Sequence, residues 1–521
     1  MKMKMKMNMK MTVFLFFSIL TSCAHKDLKR TLSSSSSDGV VFPSNIHKTQ
    51  EIFIFGNDNT SQVAIELSGI LDKINATKGE GDQVKLRYFV ELPLETDEGV
   101  AVIENPAKHL RDLKLRELGL SFLAKDLPES KKHAVFYLGA PDNYGWKPDL
   151  WMQDYGQFYS NNGVTTFLDL TYANLYNTSE IHRYISSPKG LKGSINTDFK
   201  VKRDAATINK TLEGGDIEAL PNGTILVGSE VHPKLEEYFS ETLGQKVIKV
   251  PADFVATGHV DELFSIFPVP KTADNQCGYA LSFIDPMYGL RLALDRSLIK
   301  SQPRDRQKYL DAIKHFTGVE GERGIGPDMF HQLSKKFDKE KSISFKEEPW
   351  GMDPDYHQWY VFKALEIDLA IKRGLEVIKA ELKSDCPNLK VTGLPVLMSD
   401  EGAGESSLYG ISTDGKSASE IGDEVKKASI HLFVSPVNQL VIDEHLVIPT
   451  INGLLGTSAW NGEFVDEFIK VFKWIVPARL KKVGVAPSSI HFITSNVYVR
   501  NGGAVHCGTS SVRSSTRKVF E

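Results

Sequence analysis

Near the C-terminal end, Asn501-Gly-Gly-Ala-Val-His506-Cys507-Gly-Thr sets one cysteine among glycines, directly after a histidine. Small neighbours leave room for a substrate against the sulfur, and a nearby imidazole or bound cation favours the thiolate. Far upstream, Thr257-Gly-His259-Val-Asp261-Glu262 places a base and a carboxylate two residues apart. In extended backbone both would point to one face, so one side chain could hold a cation while the other moves protons. The apolar flanks, Phe254-Val255 and Leu263 to Phe267, imply burial, which strengthens charge–charge contacts and makes an unpaired Asp261 costly. In Leu150-Trp151-Met-Gln153-Asp154-Tyr-Gly a carboxylate stands beside an indole, a pairing that suits a planar cation. Between these motifs, Leu212-Glu213-Gly-Gly-Asp216 combines two flexible positions with flanking carboxylates. Each fragment alone also reads as ordinary structure: an inert thiol, a satisfied His–Asp pair, a strand-end acid, a turn. Together a thiol, an imidazole and two carboxylates are what attack on a guanidinium carbon requires. Extended backbone would turn His506 away from Cys507, which leaves His259 as the expected base.

The elements that must position these groups alternate in type. Glu51-Ile-Phe-Ile-Phe-Gly, His133 to Pro141, Thr224 to Gly228, Lys246 to Pro251, Phe264 to Pro268 and Ile490 to Thr494 read as short strands. Helical spacing of apolar residues marks Val361 to Lys383 and Gly462 to Lys482. Lys300 to Glu347 is strongly charged and reads as a helical insertion (300–347). No sequence repeat stands out. With 521 residues, 41% hydrophobic and 25% charged, the chain has the composition of a globular protein. The mixture predicts an α/β protein with one large domain at 48–521.

The first residues read differently. Lysines alternate with methionines, then Val13 to Leu20 form a short apolar run, far below the roughly 20 residues a spanning helix needs. The run ends in Leu20-Thr-Ser-Cys23, which looks like a lipobox with Cys23 acylated. Residues 1–23 are thus expected to be a lipoprotein signal, and 24–47 a flexible Ser-rich tether. The chain would be exported and held to a bacterial membrane, periplasmic or at the cell surface, by lipid on Cys23. The net charge is −4, and the four lysines before Cys23 make the rest more acidic still. That balance speaks against nucleic acid as a partner. Cys277 and Cys386 could pair in an oxidising compartment or remain buried thiols.

Trp151-Met-Gln-Asp154, Gly258-His259-Val-Asp261-Glu262, Pro436-Val-Asn438-Gln-Leu and Val505-His-Cys507-Gly-Thr stand in this order. The set resembles the catalytic domain of the protein-arginine deiminases, within the wider guanidine-modifying superfamily, from about Glu51 to the C-terminus. The resemblance implies a five-bladed α/β-propeller (pentein) with a central active site. It implies that Cys507 attacks the guanidinium carbon and that Asp154 and Asp261 grip the nitrogens. His259 would protonate departing ammonia and then activate water. Trp151 would stack on the arginine stem, and Glu213 and Asp216 would contact substrate. The partners would be arginine-containing proteins or peptides, with no cofactor required. Animal members are activated by calcium. Here Tyr155 and Gln157 replace two acids of that pattern, which leaves Gln153 and Asp169 as candidate oxygen ligands; calcium prefers several carboxylates, so the resemblance leaves calcium open but not required. Activity without calcium is therefore expected. Glu213-Gly-Gly-Asp216 resembles the free-arginine, agmatine and dimethylarginine branches, so free arginine or agmatine is the alternative substrate. A non-catalytic surface lipoprotein binding cationic ligands has no need for the thiol. A cysteine peptidase needs one base, an orienting group and an oxyanion hole, not a second carboxylate.

Overall fold

The computed structural model describes residues 39–56, 60–91, 121–123, 133–138, 151–170, 179–187, 191–199, 213–289, 292, 354–399, 427–433, 435–451, 462–500 and 503–520. The signal, Cys23, most of the tether and the charged segment 300–347 lie outside them.

The tether ends earlier than residue 47. Strand β1 (Val40–Val41) already pairs antiparallel with β6 (Gly156–Asn161). Phe42 stacks on Tyr159 with ring centres 4.9 Å apart, and Ile46 is buried. Apolar side chains with a core to enter do not remain in a solvated linker. Gly39–Glu521 forms one compact unit.

Within it one arrangement recurs five times: an antiparallel strand pair, then a helix, then a third strand parallel to the second. β2 (His47–Gly56), α1 (Ser61–Asn75) and β3 (Lys85–Glu91) begin the first, whose sheet is extended by β4 (Ser121–Leu123) and β5 (His133–Leu138). β6, β7 (Val164–Asp169), α2 (Ser179–Ser186) and β8 (Ser194–Asn196) make the second. β9 (Ile217–Ala219), β10 (Ile225–Gly228), α3 (Pro233–Glu237) and β11 (Val247–Val250) make the third. The fourth is β12 (Phe264–Pro268), β13 (Tyr279–Asp285), α4 (Pro354–Leu382) and β14 (Lys390–Pro395). A two-stranded pair follows, β15 (Leu397–Ser399) with β16 (His431–Phe433). The fifth is β17 (Leu440–Ile442), β18 (His445–Thr450), α5 (Gly462–Lys482) and β19 (Ile490–Thr494). After α6 (Asn496–Arg500), β20 (Thr509–Lys518) returns antiparallel to β2 and supplies the first unit's missing strand.

Strand β2 shows why these elements form. Ile52 and Ile54 enter a cluster with Val63, Leu67 and Leu71 of α1, while Phe53 and Phe55 enter another with Phe89, Phe158 and Phe167. A strand covered on both faces reads as an unbroken apolar run, as here. Helix α5 buries Val465, Phe468, Phe472, Val476 and Leu480, one face at helical spacing. Cys277 and Cys386 are disulfide-bonded, tying the turn before β13 to the end of α4. Among the described residues no helix is long and apolar enough to cross a membrane.

Candidate active site

The chemistry-bearing residues occupy one place in the repeated unit, the turn just before its first strand. Asp154 precedes β6, Asp216 precedes β9, His259 and Asp261 precede β12, Asn438 precedes β17 and Cys507 precedes β20. Three of these turns are single 3-10 turns, Met152–Tyr155, Gly214–Asp216 and Val260–Glu262. The expectation that His259 and Asp261 share a face of a strand is thus corrected. His259 has extended backbone and caps the 3-10 turn holding Asp261. The tight turn, not strand alternation, brings both to the thiol.

Around Cys507 the donor atoms of His259, Asp261, Glu262 and the sulfur all lie within 4.8 Å of one another, and all four residues are buried. The sulfur is 3.4 Å from Asp261 Oδ2 and receives a hydrogen bond from Asn438 Nδ2 at 2.9 Å. The same Asn438 nitrogen is 3.0 Å from Asp261 Oδ2. Asn438 Oδ1 accepts from the main-chain nitrogens of His506 (3.1 Å) and Cys507 (3.2 Å). One buried amide therefore fixes thiol, carboxylate and turn together. Asp261 Oδ1 is buried with no hydrogen-bond partner among the described residues.

Burial lowers the affinity of His259 for its proton, but hydrogen bonds to Cys507 and Glu213 and the charges of Asp216 and Asp154 outweigh it. Its pKa stands well above the ordinary 6.5. Glu213 Oε2 is 3.9 Å from His259 Nε2. Burial, Asp261 and Glu262 push the Cys507 thiol well above the usual range, against the opposing pull of His259. Burial and the charge of Asp261 raise Glu262 to about 8, so it is largely protonated at neutral pH; it accepts from Thr257 Oγ1 at 2.7 Å. The site therefore carries excess negative potential around a protonated imidazole, and a second cation entering it would be stabilised.

Asp154 is buried and close enough to act on the charge of His259. Trp151 lies beside Tyr498 with ring centres 5.4 Å apart, and Gly503 packs against its six-membered ring so tightly that a Cβ would come within 2.6 Å of the indole. Glu213 and Asp216, expected against substrate, are placed beside His259; Asp216 is wholly buried. Gln153 and Asp169 each have another partner. Gln153 Nε2 is 2.8 Å from His506 Nδ1, while Asp169 pairs with His182 at 3.0 Å.

Two further residues belong to the site. Asn438 stood in a motif of the resemblance but, carrying no charge, had no role assigned to it. His506, expected to face away, is in the site because Ala504–Gly508 is a turn and not a strand. That turn is closed by bonds from Gly508 N to Ala504 O (3.2 Å) and Thr509 N to His506 O (2.9 Å). His506 is buried, with Nδ1 2.8 Å from Asp261 Oδ2 and Nε2 3.5 Å from Glu218 Oε1.

No protein-family profile and no curated protein matches this sequence. Among solved structures the chain is similar to the C. jejuni agmatine deiminase, with 13% identity over 91% of this chain and 95% of that one, at a TM-score of 0.41. It is similar to a Porphyromonas gingivalis protein provisionally named an arginine deiminase (12% identity, 92% and 100% covered, TM-score 0.42). It is also similar to a protein provisionally named a peptidyl-arginine deiminase (13% identity, 91% and 98% covered, TM-score 0.40).

Proposed function

We propose that this chain is a hydrolytic deiminase of a guanidino group, acting on arginine in proteins or peptides. The observation that carries this reading is the convergence of Cys507, His259 and Asp261, where the thiol touches a carboxylate and an imidazolium. A carboxylate beside a nucleophile penalises an anionic intermediate but suits a cationic electrophile.

In this reading the guanidinium enters between Asp154 and Asp261, its charge lowers the cost of forming the Cys507 thiolate, and the thiol proton leaves to solvent. The sulfur adds to the guanidinium carbon. His259 gives its proton to the departing nitrogen, which leaves as ammonia and breaks the C–N bond, with the carbon held on sulfur as a thiouronium. Water then adds, giving one proton to His259, and the C–S bond breaks to release the thiolate and a protonated ureido group, which loses its remaining proton to ammonia or solvent. Trp151 supplies an apolar wall for the side-chain stem.

The five recurring units, with β20 closing onto β2, support a five-bladed propeller whose pre-strand turns face a common centre. Glu213 and Asp216 beside His259 favour a second reading, in which the substrate is free arginine or agmatine. No cofactor enters the chemistry. The site residues need no calcium, so turnover should survive a chelator; loss with chelator and recovery with calcium would overturn that. Lipid on Cys23 would hold the enzyme to a bacterial membrane, where peptides are accessible.

The test is ureido-product and ammonia formation by the full chain on an arginine peptide blocked at both ends, with free arginine and agmatine in parallel. Turnover of the blocked peptide supports the first reading, and turnover of the small substrates alone supports the second. No turnover of any, by protein whose Cys507 still reacts, would sink both.

A further inference from the structure

We propose that His506 is a positioning residue, holding Asp261 Oδ2 through Nδ1–H so that Asp261 Oδ1 is presented to the guanidinium. The proposal rests on the guanidino-hydrolysing reading above.

A carboxylate only accepts hydrogen bonds, so the 2.8 Å contact between Asp261 Oδ2 and His506 Nδ1 places the hydrogen on Nδ1. Gln153 Nε2 lies 2.8 Å from Nδ1 and 3.4 Å from Nε2, over the ring and not along the Nδ1–H bond, so it does not compete with Asp261 for that hydrogen. Nε2 on the far side faces Glu218 at 3.5 Å, and the main-chain nitrogen of His506 is held by Asn438 Oδ1 at 3.1 Å. The ring is thus held between Asp261 and Glu218, on a backbone fixed by Asn438.

The consequence falls on Asp261. Its Oδ2 is occupied by Asn438, His506 and the Cys507 sulfur. Its Oδ1 is the buried oxygen with no partner among the described residues. Without His506 the carboxylate could rotate, and either oxygen could turn toward the thiol. Charge supports the arrangement: burial opposes protonation of His506, but Asp261 and Glu218 outweigh both burial and nearby Arg513. Glu218 is itself raised to about 7, chiefly by burial. His506 has no contact with the sulfur comparable to that of His259, so it acts through Asp261.

The test compares alkylation of Cys507 in the full chain by 2-chloroacetamidine, a cation, and 2-chloroacetamide, its neutral counterpart. Asparagine carries its amide nitrogen at the position of Nδ1, glutamine at the position of Nε2. His506→Asn should retain the wild-type preference for the cationic reagent. His506→Ala and His506→Gln should lose about tenfold to a hundredfold of that preference, the scale of a hydrogen bond to a charged group, with the neutral rate little changed. An unchanged preference in His506→Ala, or equal values for the Asn and Gln variants, overturns the positioning role. Should the Ala variant fail to fold, the Asn–Gln comparison decides alone. A wild-type enzyme with no preference for the cation overturns instead the guanidinium reading on which the proposal rests.

Discussion

Gly215 lies directly against the imidazole of His259: a Cβ at that position would come within 2.3 Å of Nδ1. The glycine is required by that close approach, not by an unusual backbone angle. Gly215→Ala must shift the ring relative to its surroundings, and displacement of a reacting group by about 1 Å costs on the order of 10²-fold in rate. Ammonia release should fall by that factor, with the melting temperature changed only modestly because the turn is local. A Gly215→Ala enzyme of normal kcat would show that the ring tolerates displacement and is not the proton carrier.

How far the sequence revealed this site depends on the kind of signal each residue gives. Cys507, His259, Asp154 and Asp261 announce themselves by charge or nucleophilicity among glycines and apolar residues. Helix α5 is legible from Val465, Phe468, Phe472 and Leu480 on one face, and it begins and ends where that spacing predicts. Asn438 stood in a motif of the resemblance but was given no role, because a neutral amide announces no chemistry; its importance lies in two hydrogen bonds to groups 69 and 177 residues away. His506 was misjudged because the residues around Cys507 were treated as extended, whereas glycine-rich sequence allows the turn that forms. The fivefold recurrence came only from the resemblance and not from any repeat in the sequence, because the first strands are as short as three residues and the connections differ greatly in length. Such strands are specified by tertiary packing more than by local pattern.

The thiol and the carboxylate beside it oppose each other in the resting enzyme. Burial comes first and Asp261 second among the causes that raise the Cys507 pKa. Replacing Asp261 by Asn removes a negative charge, so the thiolate forms at lower pH. Alkylation of the Asp261→Asn protein by a neutral haloacetamide should therefore reach half-maximal rate at lower pH than wild type. Turnover should fall, because the guanidinium loses one of its grips. Opposite movements of reactivity and turnover are the signature; a higher alkylation midpoint would refute this account of the thiol.

His259 must carry a proton when ammonia leaves. Its pKa is held well above 6.5, where the hydrogen bond to Glu213 is among the causes that outweigh burial. The protonated form therefore persists through neutral pH, and kcat should decline only as pH rises past the raised pKa. Glu213→Gln removes a raising influence, so the alkaline limb should move to lower pH. The measurement is the pH profile of kcat for both proteins, and an alkaline limb that stays in place or moves upward would count against His259 as the acid.

The disulfide between Cys277 and Cys386 spans 109 residues of sequence and joins the turn before β13 to the residue run after α4. Cross-linking so long a segment restricts the unfolded chain most, with a typical contribution of about 2–4 kcal/mol. Neither cysteine belongs to the cluster around Cys507, so the effect should be on stability and not on chemistry. The double variant Cys277→Ser, Cys386→Ser should melt several degrees lower than wild type while keeping its kcat. Reductant should lower the wild-type melting temperature toward that of the variant and leave the variant unchanged. A wild-type protein whose melting point ignores reductant, under conditions where both thiols become titratable, would mean that the cross-link constrains nothing the unfolded chain could otherwise explore.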